Sequence, residues 1–210
     1  MYENFERIPK ADKLCILNAC IEEFAQKGYE KASTNAIVRK AGIPKGTLFF
    51  FFGNKKNLYL YVIDHAVTLY TQMTLESSVE MPDDLFERLL FLGRERMKFA
   101  LDQPQLYKLF YNAFINAPED IQTELRGRYS AYYTPSMQML TDGLDRSHFK
   151  PGVNVEKVIE LIYLILEGLL SKSVPILQKY QPAESLALVD KLFVECDEYF
   201  TMIRQGVYLE

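Results

Sequence analysis

The chain has no tryptophan, two histidines (His65 and His148) and three cysteines in 210 residues. Neither histidine stands at metal-ligand spacing from a cysteine or carboxylate, so no metal site is expected. Cys15, Cys20 and Cys196 are odd in number and show no CxxC spacing. That excludes a disulfide framework and suits a reducing cytoplasm, with at least two acting as small core residues. The GxSxG, P-loop and GxGxxG motifs are missing. The carboxylate pairs Asp83-Asp84 and Glu119-Asp120 fall at expected helix starts, where capping explains them. No catalysis and no cofactor are expected. The longest apolar run, Val158 to Leu170, is broken by Glu160, Glu167 and Gly168 and is too short to span a bilayer. The opening MYENFERIPK is charged and lacks an apolar stretch, so neither a signal peptide nor membrane association is expected.

What is present is apolar and aromatic: 49% hydrophobic residues, with 14 Tyr and 14 Phe. This suffices for one domain with a large core, or a small domain fused to a larger one. The net charge of −4 conceals an asymmetry. Residues 1–58 carry ten Lys/Arg against six Asp/Glu, whereas residues 59–210 carry fourteen against twenty-two. From Ala25 to Lys56 the cations are Lys27, Lys31, Arg39, Lys40, Lys45, Lys55 and Lys56, and the only acid is Glu30. A basic end on an acidic body suits a nucleic-acid contact, although a charge run by itself also reads as a solvated face.

No segment alternates with period two over a convincing length, so the expected class is all-α, with about nine helices. Over residues 10–28, Leu14, Leu17, Ile21 and Phe24 form one stripe, with Gly28 as C-cap. Ser33 and Thr34 are good N-cap residues for a short helix to Ala41, with Ile37, Val38 and Ala41 inward. Gly42, Ile43 and Pro44 interrupt it, and a second short helix runs from Lys45 to about Phe51. Two short helices across a tight Gly-containing turn make a helix-turn-helix. Four consecutive phenylalanines, Phe49 to Phe52, sweep most of the way round a helix axis. Either Phe50 and Phe51 face outward, or the chain leaves the helix at Phe51 and buries all but one.

Asn54 caps a long helix whose first turn holds Lys55 and Lys56, against the helix dipole unless a phosphate lies nearby. Further helices are expected over 83–102, 104–114, from Pro118 to about Gly143 with Pro135 as either a kink or a break, over 154–180, and after Pro182. The helix over 154–180 is apolar on nearly every side from Val158 to Leu170 and must be covered all round, which favours a second subunit.

Residues 16–58 resemble the N-terminal domain of the tetracycline-repressor (TetR/AcrR) family of bacterial regulators. The resemblance rests on Ile16, Ala19, Phe24, Gly28-Tyr29, Thr34, Ile37, Ala41-Gly42-Ile43, Lys45-Gly46-Thr47-Leu48, Phe52, Lys55 and Leu58. It implies a helix-turn-helix DNA-binding domain over residues 1–57 and a ligand-binding and dimerisation domain over 58–210. It implies that Ser33, Thr34 and Asn35 begin the supporting helix, with Thr34 at a phosphate. Lys45, Gly46 and Thr47 would begin the recognition helix, and Lys55 would hold a phosphate. Phe49 and Phe51 depart from the family, which usually has Tyr or His there reaching the backbone, and Pro44 replaces a common Ser. Phe50 or Phe51 could instead touch thymine methyls.

The implied function is a cytoplasmic, ligand-responsive repressor that binds a palindromic double-stranded DNA operator as a homodimer and is released by a small amphipathic or apolar effector. Phe91, Phe99, Tyr107, Phe110, Tyr111, Phe114, Tyr129, Tyr132, Tyr133 and Tyr163 are candidate pocket residues, since Tyr joins an apolar ring to a polar tip. An aromatic stripe also reads as plain core. Ile162, Leu166, Leu169, Leu170, Leu192, Cys196 and Phe200 are candidates for the dimer interface. The alternative is a dimeric helical sensor or protein-interaction module that no longer binds DNA.

Overall fold

In the computed structural model, residues 2–75, 81–114, 119–177 and 182–209 are described. Side chains at 73–75, 111, 130–136, 139, 167, 170, 174–177 and 182–187 lie outside the described set. Among the described residues there are ten α-helices and one 3₁₀ turn. They are α1 (Glu3–Glu6), α2 (Lys10–Lys31), α3 (Thr34–Ala41), α4 (Lys45–Phe52), α5 (Lys55–Leu75), α6 (Leu85–Asp102), α7 (Pro104–Phe114), α8 (Gln122–Thr141), α9 (Val155–Leu177) and α10 (Pro182–Val207). The tenth helix, beyond the nine expected, is α1. The expected helix start at Pro118 and the break near Ser77 lie outside the described residues. Glu119–Ile121 form the 3₁₀ turn, and α8 then runs helical through position 135.

The chain divides into two compact units: Met1–Glu76 with Gln103–Tyr133, and Ser77–Asp102 with Thr134–Glu210. In the first, α2 is the central column, packed against α3, α5 and α7. Its buried face is Ile16, Leu17, Ala19, Cys20, Ile21, Phe24 and Ala25. Leu14, expected on that stripe, is 44% exposed although it shares the azimuth of Ile21 and Ala25; it stands one turn from the start of the helix, ahead of the buried run. Gly28 breaks the helical dihedrals of α2 at φ 67°, as its C-cap reading required. The Asn112 side-chain amide of α7 donates to the Ala25 carbonyl at 3.3 Å. Helices α5 and α8 are tied by Arg128, whose Nε and Nη2 meet the two oxygens of Asp64 at 2.6 and 3.0 Å, and by a Lys56–Glu124 ion pair.

In the second unit, α6 packs against α9 and α10. Gly93 makes this approach possible: a methyl group on it would sit 2.9 Å from Phe193 and 3.9 Å from Leu166. Arg88 is the one buried charged residue among those described. Its guanidinium donates to the carbonyls of Pro82, Leu140 (3.3 Å), Asp142 (2.6 Å) and Gly143 (3.2 Å). A cation there satisfies carbonyls left over at the end of α8 and complements the negative end of its dipole. Asp84 caps α6 by accepting from the backbone N–H of Phe86 at 2.9 Å, and it also accepts from the Tyr208 hydroxyl at 2.8 Å. An isolated antiparallel bridge pairs Phe149 with Tyr208; among the described residues there is no strand beyond it.

Candidate nucleic-acid interface

Helix α3 starts and stops where its caps dictate. The Ser33 Oγ accepts from the Ala36 N–H at 3.4 Å, and the Ser33 N–H donates to the Glu23 carboxylate of α2 at 2.8 Å. At the other end Gly42 lies in the left-handed region at φ 66°, and the Ile43 N–H reaches back to the Val38 carbonyl at 3.1 Å. This is a glycine-terminated helix end that a β-carbon would strain. Pro44 then fixes an extended entry, and the Thr47 and Leu48 N–H groups close on its carbonyl. The result is the helix-turn-helix: α3, a Gly-Ile-Pro turn and α4, each helix eight residues long.

The helix runs through all four phenylalanines. Leu48 and Phe52, four residues apart, are buried at 1% and 2% exposure, while Phe50 on the far side is 67% exposed. Phe49 and Phe51 are half-buried. Of the two alternatives, the continuous helix holds, with Phe50 facing outward and Phe51 at the rim. Lys45 and Gly46 are exposed with Phe50, and Thr47 is partly exposed. Lys45 Nζ lies 5.8 Å from the Phe49 ring centroid. On α3, Ser33 and Asn35 are exposed and Thr34 is half-buried. All ten residues singled out for DNA therefore lie on α3, α4, their caps or the first turn of α5.

The lysines of α5 are engaged differently than the dipole argument supposed. Lys55 Nζ donates to the Glu30 carbonyl at 2.9 Å and lies 5.2 Å from the Tyr29 ring centroid. It thus answers the carbonyl end of α2 rather than only opposing the positive end of α5. Lys56 pairs with Glu124, whose carboxyl is held below its ordinary range by that hydrogen bond. Lys40 pairs with Glu22. The Asn54 Oδ1 accepts from the Asn57 N–H at 2.8 Å, the N-cap expected for α5.

Sequence reading missed the aromatic cluster behind α4. Phe5 of α1 is fully buried, with its ring 5.4 Å from Phe51, 4.8 Å from Phe52 and 5.3 Å from Tyr61. Tyr2 stacks with Phe52 and Tyr61 and donates to the Asn57 carbonyl at 3.3 Å. The available signal was Tyr2 and Phe5 at helical spacing ahead of Pro9. Tyr61 donates to the Glu6 carboxylate, which lowers that carboxyl's pKa, and Lys13 binds it as well.

Among the pocket candidates, Phe110 lies 5.5 Å from Phe114, which lies 5.5 Å from Tyr129, and Tyr70, unforeseen, lies 5.9 Å from Phe110. All four rings, on α5, α7 and α8, are half-buried. Tyr107 is buried in the same unit at 6%. In the second unit Phe99 is core at 3%, and Phe91 and Tyr163 are half-buried. The side chains of Tyr111, Tyr132 and Tyr133 lie outside the described residues.

The interface candidates lie mostly in the core of the single chain. Ile162, Leu166, Leu192, Cys196 and Phe200 are at most 7% exposed within a single chain. They face the α6–α9–α10 core, because the stripe facing Gly93 must also hold Phe193 and Leu166. Leu169 is half-buried, and the Leu170 side chain is outside the described residues. Among the described residues of these two helices, the exposed large apolar side chains are Leu161 (49%) and Leu164 (64%) on α9, with Val194 (63%), Met202 (60%) and Tyr199 (38%) on α10.

Among the described residues no group of His, Cys, Asp and Glu could hold a metal, and no helix is long and apolar enough to cross a membrane. Burial pushes the Cys20 thiol up to about 12, as expected of an inert core cysteine, and Cys15 is exposed.

A short capped helix, a tight glycine turn and a second helix with an exposed outer face define a helix-turn-helix protein of the nucleic-acid-binding kind. Residues 16–62 match the family model described as bacterial regulatory proteins, tetR family. The negative transcriptional regulator IcaR of the icaADBC biofilm operon in Staphylococcus epidermidis is 24% identical over 154 residues, covering 72% of this chain and 78% of that one. A TetR-family regulator from Chloroflexus aurantiacus superposes with TM-score 0.70 at 21% identity, covering 99% of this chain and 98% of that one. The regulator FadR of Bacillus subtilis, solved with stearoyl-CoA, superposes with TM-score 0.60 at 16% identity, covering 86% and 97%. Over residues 16–62 the chain is similar to the tetR family of bacterial regulatory proteins, and its fold is that of solved TetR-family regulators.

Proposed function

We propose that the protein is a repressor that binds a palindromic DNA operator as a homodimer and leaves it when an amphipathic effector binds. The observation that carries this reading is the outer face of α4, where Lys45, Gly46 and Phe50 stand exposed and no acid occurs between Lys31 and Lys55. That face offers a cation for phosphate or guanine, a bare glycine for close approach and an apolar ring for a thymine methyl. Thr34, Lys45, Thr47 and Lys55 are the leading contact residues, with Ser33, Asn35 and Phe50 beside them. Lys55 exchanges its hold on the Glu30 carbonyl for a phosphate oxygen. Phe49 and Phe51 contribute packing rather than polar contacts, since neither carries a hydrogen-bonding atom.

The functional boundary falls near residue 57, with DNA contact before it and effector binding and dimerisation after it. The dimer uses the exposed residues Leu161, Leu164, Val194 and Met202, because four large apolar side chains on adjacent helices need cover. A twofold dimer meets half-sites about 34–36 Å apart or a multiple of that spacing. The half-buried row Tyr70, Phe110, Phe114 and Tyr129 suits the apolar part of an effector. A ligand lodged against Tyr70 acts on α5, which begins at the recognition unit. IcaR, a negative regulator, supports repression, and FadR with stearoyl-CoA supports an acyl-chain effector.

The test is enrichment of duplexes from a random-sequence library by the purified protein. The expected product is a palindrome whose binding weakens steeply with salt and whose complex is dissociated by stearoyl-CoA. Failure to enrich any sequence, from a protein that is dimeric by native mass spectrometry, would leave the sensor without DNA binding as the better account.

A further inference from the structure

Helix α1 is too short to be stable alone, since a four-residue helix has barely one hydrogen-bonded turn. It is nonetheless anchored. Phe5 is its only buried residue, at 0% exposure, and the ring is enclosed by Phe51 and Phe52 from α4 and Tyr61 from α5. Tyr2 adds contacts to Phe52 and Tyr61 from the residue before the helix. The polar side is fastened too: Tyr61 donates to the Glu6 carboxylate, and Lys13 donates both to that carboxylate at 3.1 Å and to the Glu6 carbonyl at 2.8 Å.

This cluster bears on α4 at one end and one side. Phe51 and Phe52 occupy its last turn, and the start of the helix is fixed only by Pro44, with no side-chain cap. Leu48 and Phe52 hold α4 along one line, and the half-buried Phe49 lies on one flank of it. Phe51 against Phe5 holds the opposite flank and resists a roll of the helix about its axis. A rotation of α4 carries Phe50, one residue away, across the surface it presents. Phe51 is therefore half-buried for a structural reason, and the family's polar side chain at this position is replaced by a ring that packs.

We propose that Phe5 is a positioning residue for DNA recognition: through Phe51 and Phe52, α1 sets the rotation of α4 and hence the aim of Lys45, Thr47 and Phe50. The proposal rests on the DNA-reading assignment above. Phe5 itself touches no base. Its loss should reduce discrimination between sequences while leaving the charge-driven affinity for any duplex in place, because phosphate contacts position and base contacts specify.

The experiment compares the full-length wild type with Phe5→Ala, Phe5→Leu and Phe5→Tyr. The probes are a duplex enriched by the wild type from a random-sequence library and the unselected library itself. Phe5→Ala is expected to lose about tenfold on the enriched duplex, the size of one good base contact, with less than a twofold change on the unselected library. Phe5→Tyr keeps the ring and should restore most of the ratio, and Phe5→Leu should fall between. A mere loss of folded protein would lower both affinities together, so the ratio isolates positioning. An unchanged ratio in Phe5→Ala, or an equal loss on both probes, would overturn the proposal. A wild type that enriches nothing would overturn the DNA reading beneath it, a separate outcome.

Discussion

Helix α4 and the helices α9 and α10 each expose large apolar side chains, to nearly the same degree: Phe50 at 67%, against 64% for Leu164 and 63% for Val194. Their surroundings differ. Phe50 stands on a short helix in a stretch without an acid from Lys31 to Lys55. Leu164 and Val194 stand on long helices among Glu160, which pairs with Lys157, and among Asp190, Lys191, Glu195, Asp197 and Glu198, a net acidic set. Exposure alone says only that something should cover these side chains. Charge says what: a polyanion fits the first patch and would be repelled from the second, where a like copy with an apolar face fits.

The comparison breaks most readily at the second patch. Leu164→Glu combined with Val194→Glu should convert the proposed dimer to a monomer at micromolar concentration. Each buried side chain of this size contributes about 1.5–3 kcal/mol, and each subunit supplies both. Sedimentation velocity checks it, and a variant that stays dimeric would remove α9 and α10 from the interface. On the first patch, Phe50→Glu should cost about 1–3 kcal/mol or more in operator binding through a lost apolar contact and an added like charge. The dimer should be untouched; a variant that binds its operator normally would show that Phe50 reads nothing.

Smaller effects sharpen the same contrast. Lys45→Ala and Lys55→Ala should each lower the salt slope of DNA binding by about one per half-site, measured by titration at several salt concentrations. A slope unchanged in Lys55→Ala would mean that Lys55 keeps its Glu30 carbonyl and only holds α2 to α5. The smallest effect is acid-side stability. Burial holds the His65 imidazole below its ordinary pKa, so the folded state resists its protonation. Its stabilising share is present above pH ~6.5 and falls as pH drops below that value. His65→Gln should flatten the decline between pH 7 and pH 5 in thermal melts, and identical melts would show that the ring is free to protonate.

The helix-turn-helix was legible because its signals are local. Ser33, Gly42 and Pro44 act within four residues of their own positions, and each does in the structure what its chemistry requires. The outward apolar face of α9 was not legible. On α9 the residues from Val158 to Leu166 are so uniformly apolar that periodicity cannot say which stripe faces inward. The core claimed Ile162 and Leu166 and left Leu161 and Leu164 outside. Arg88 escaped notice for a similar reason. Its partners, the carbonyls at 140, 142 and 143, lie more than fifty residues away and carry no side-chain signature.

The amino-acid sequence by itself determined the helices after α1, the caps of α3 and α5, the turn between α3 and α4, and the basic character of that end. These follow from dihedral preference, hydrogen-bond capping and charge, which operate over a few residues. Only the tertiary structure decided which phenylalanine of four would face solvent, which stripe of α9 would be core, and that Phe5 would pack against Phe51 and Phe52 behind α4. Those outcomes depend on which surfaces meet, and a run apolar on all sides leaves that choice to packing.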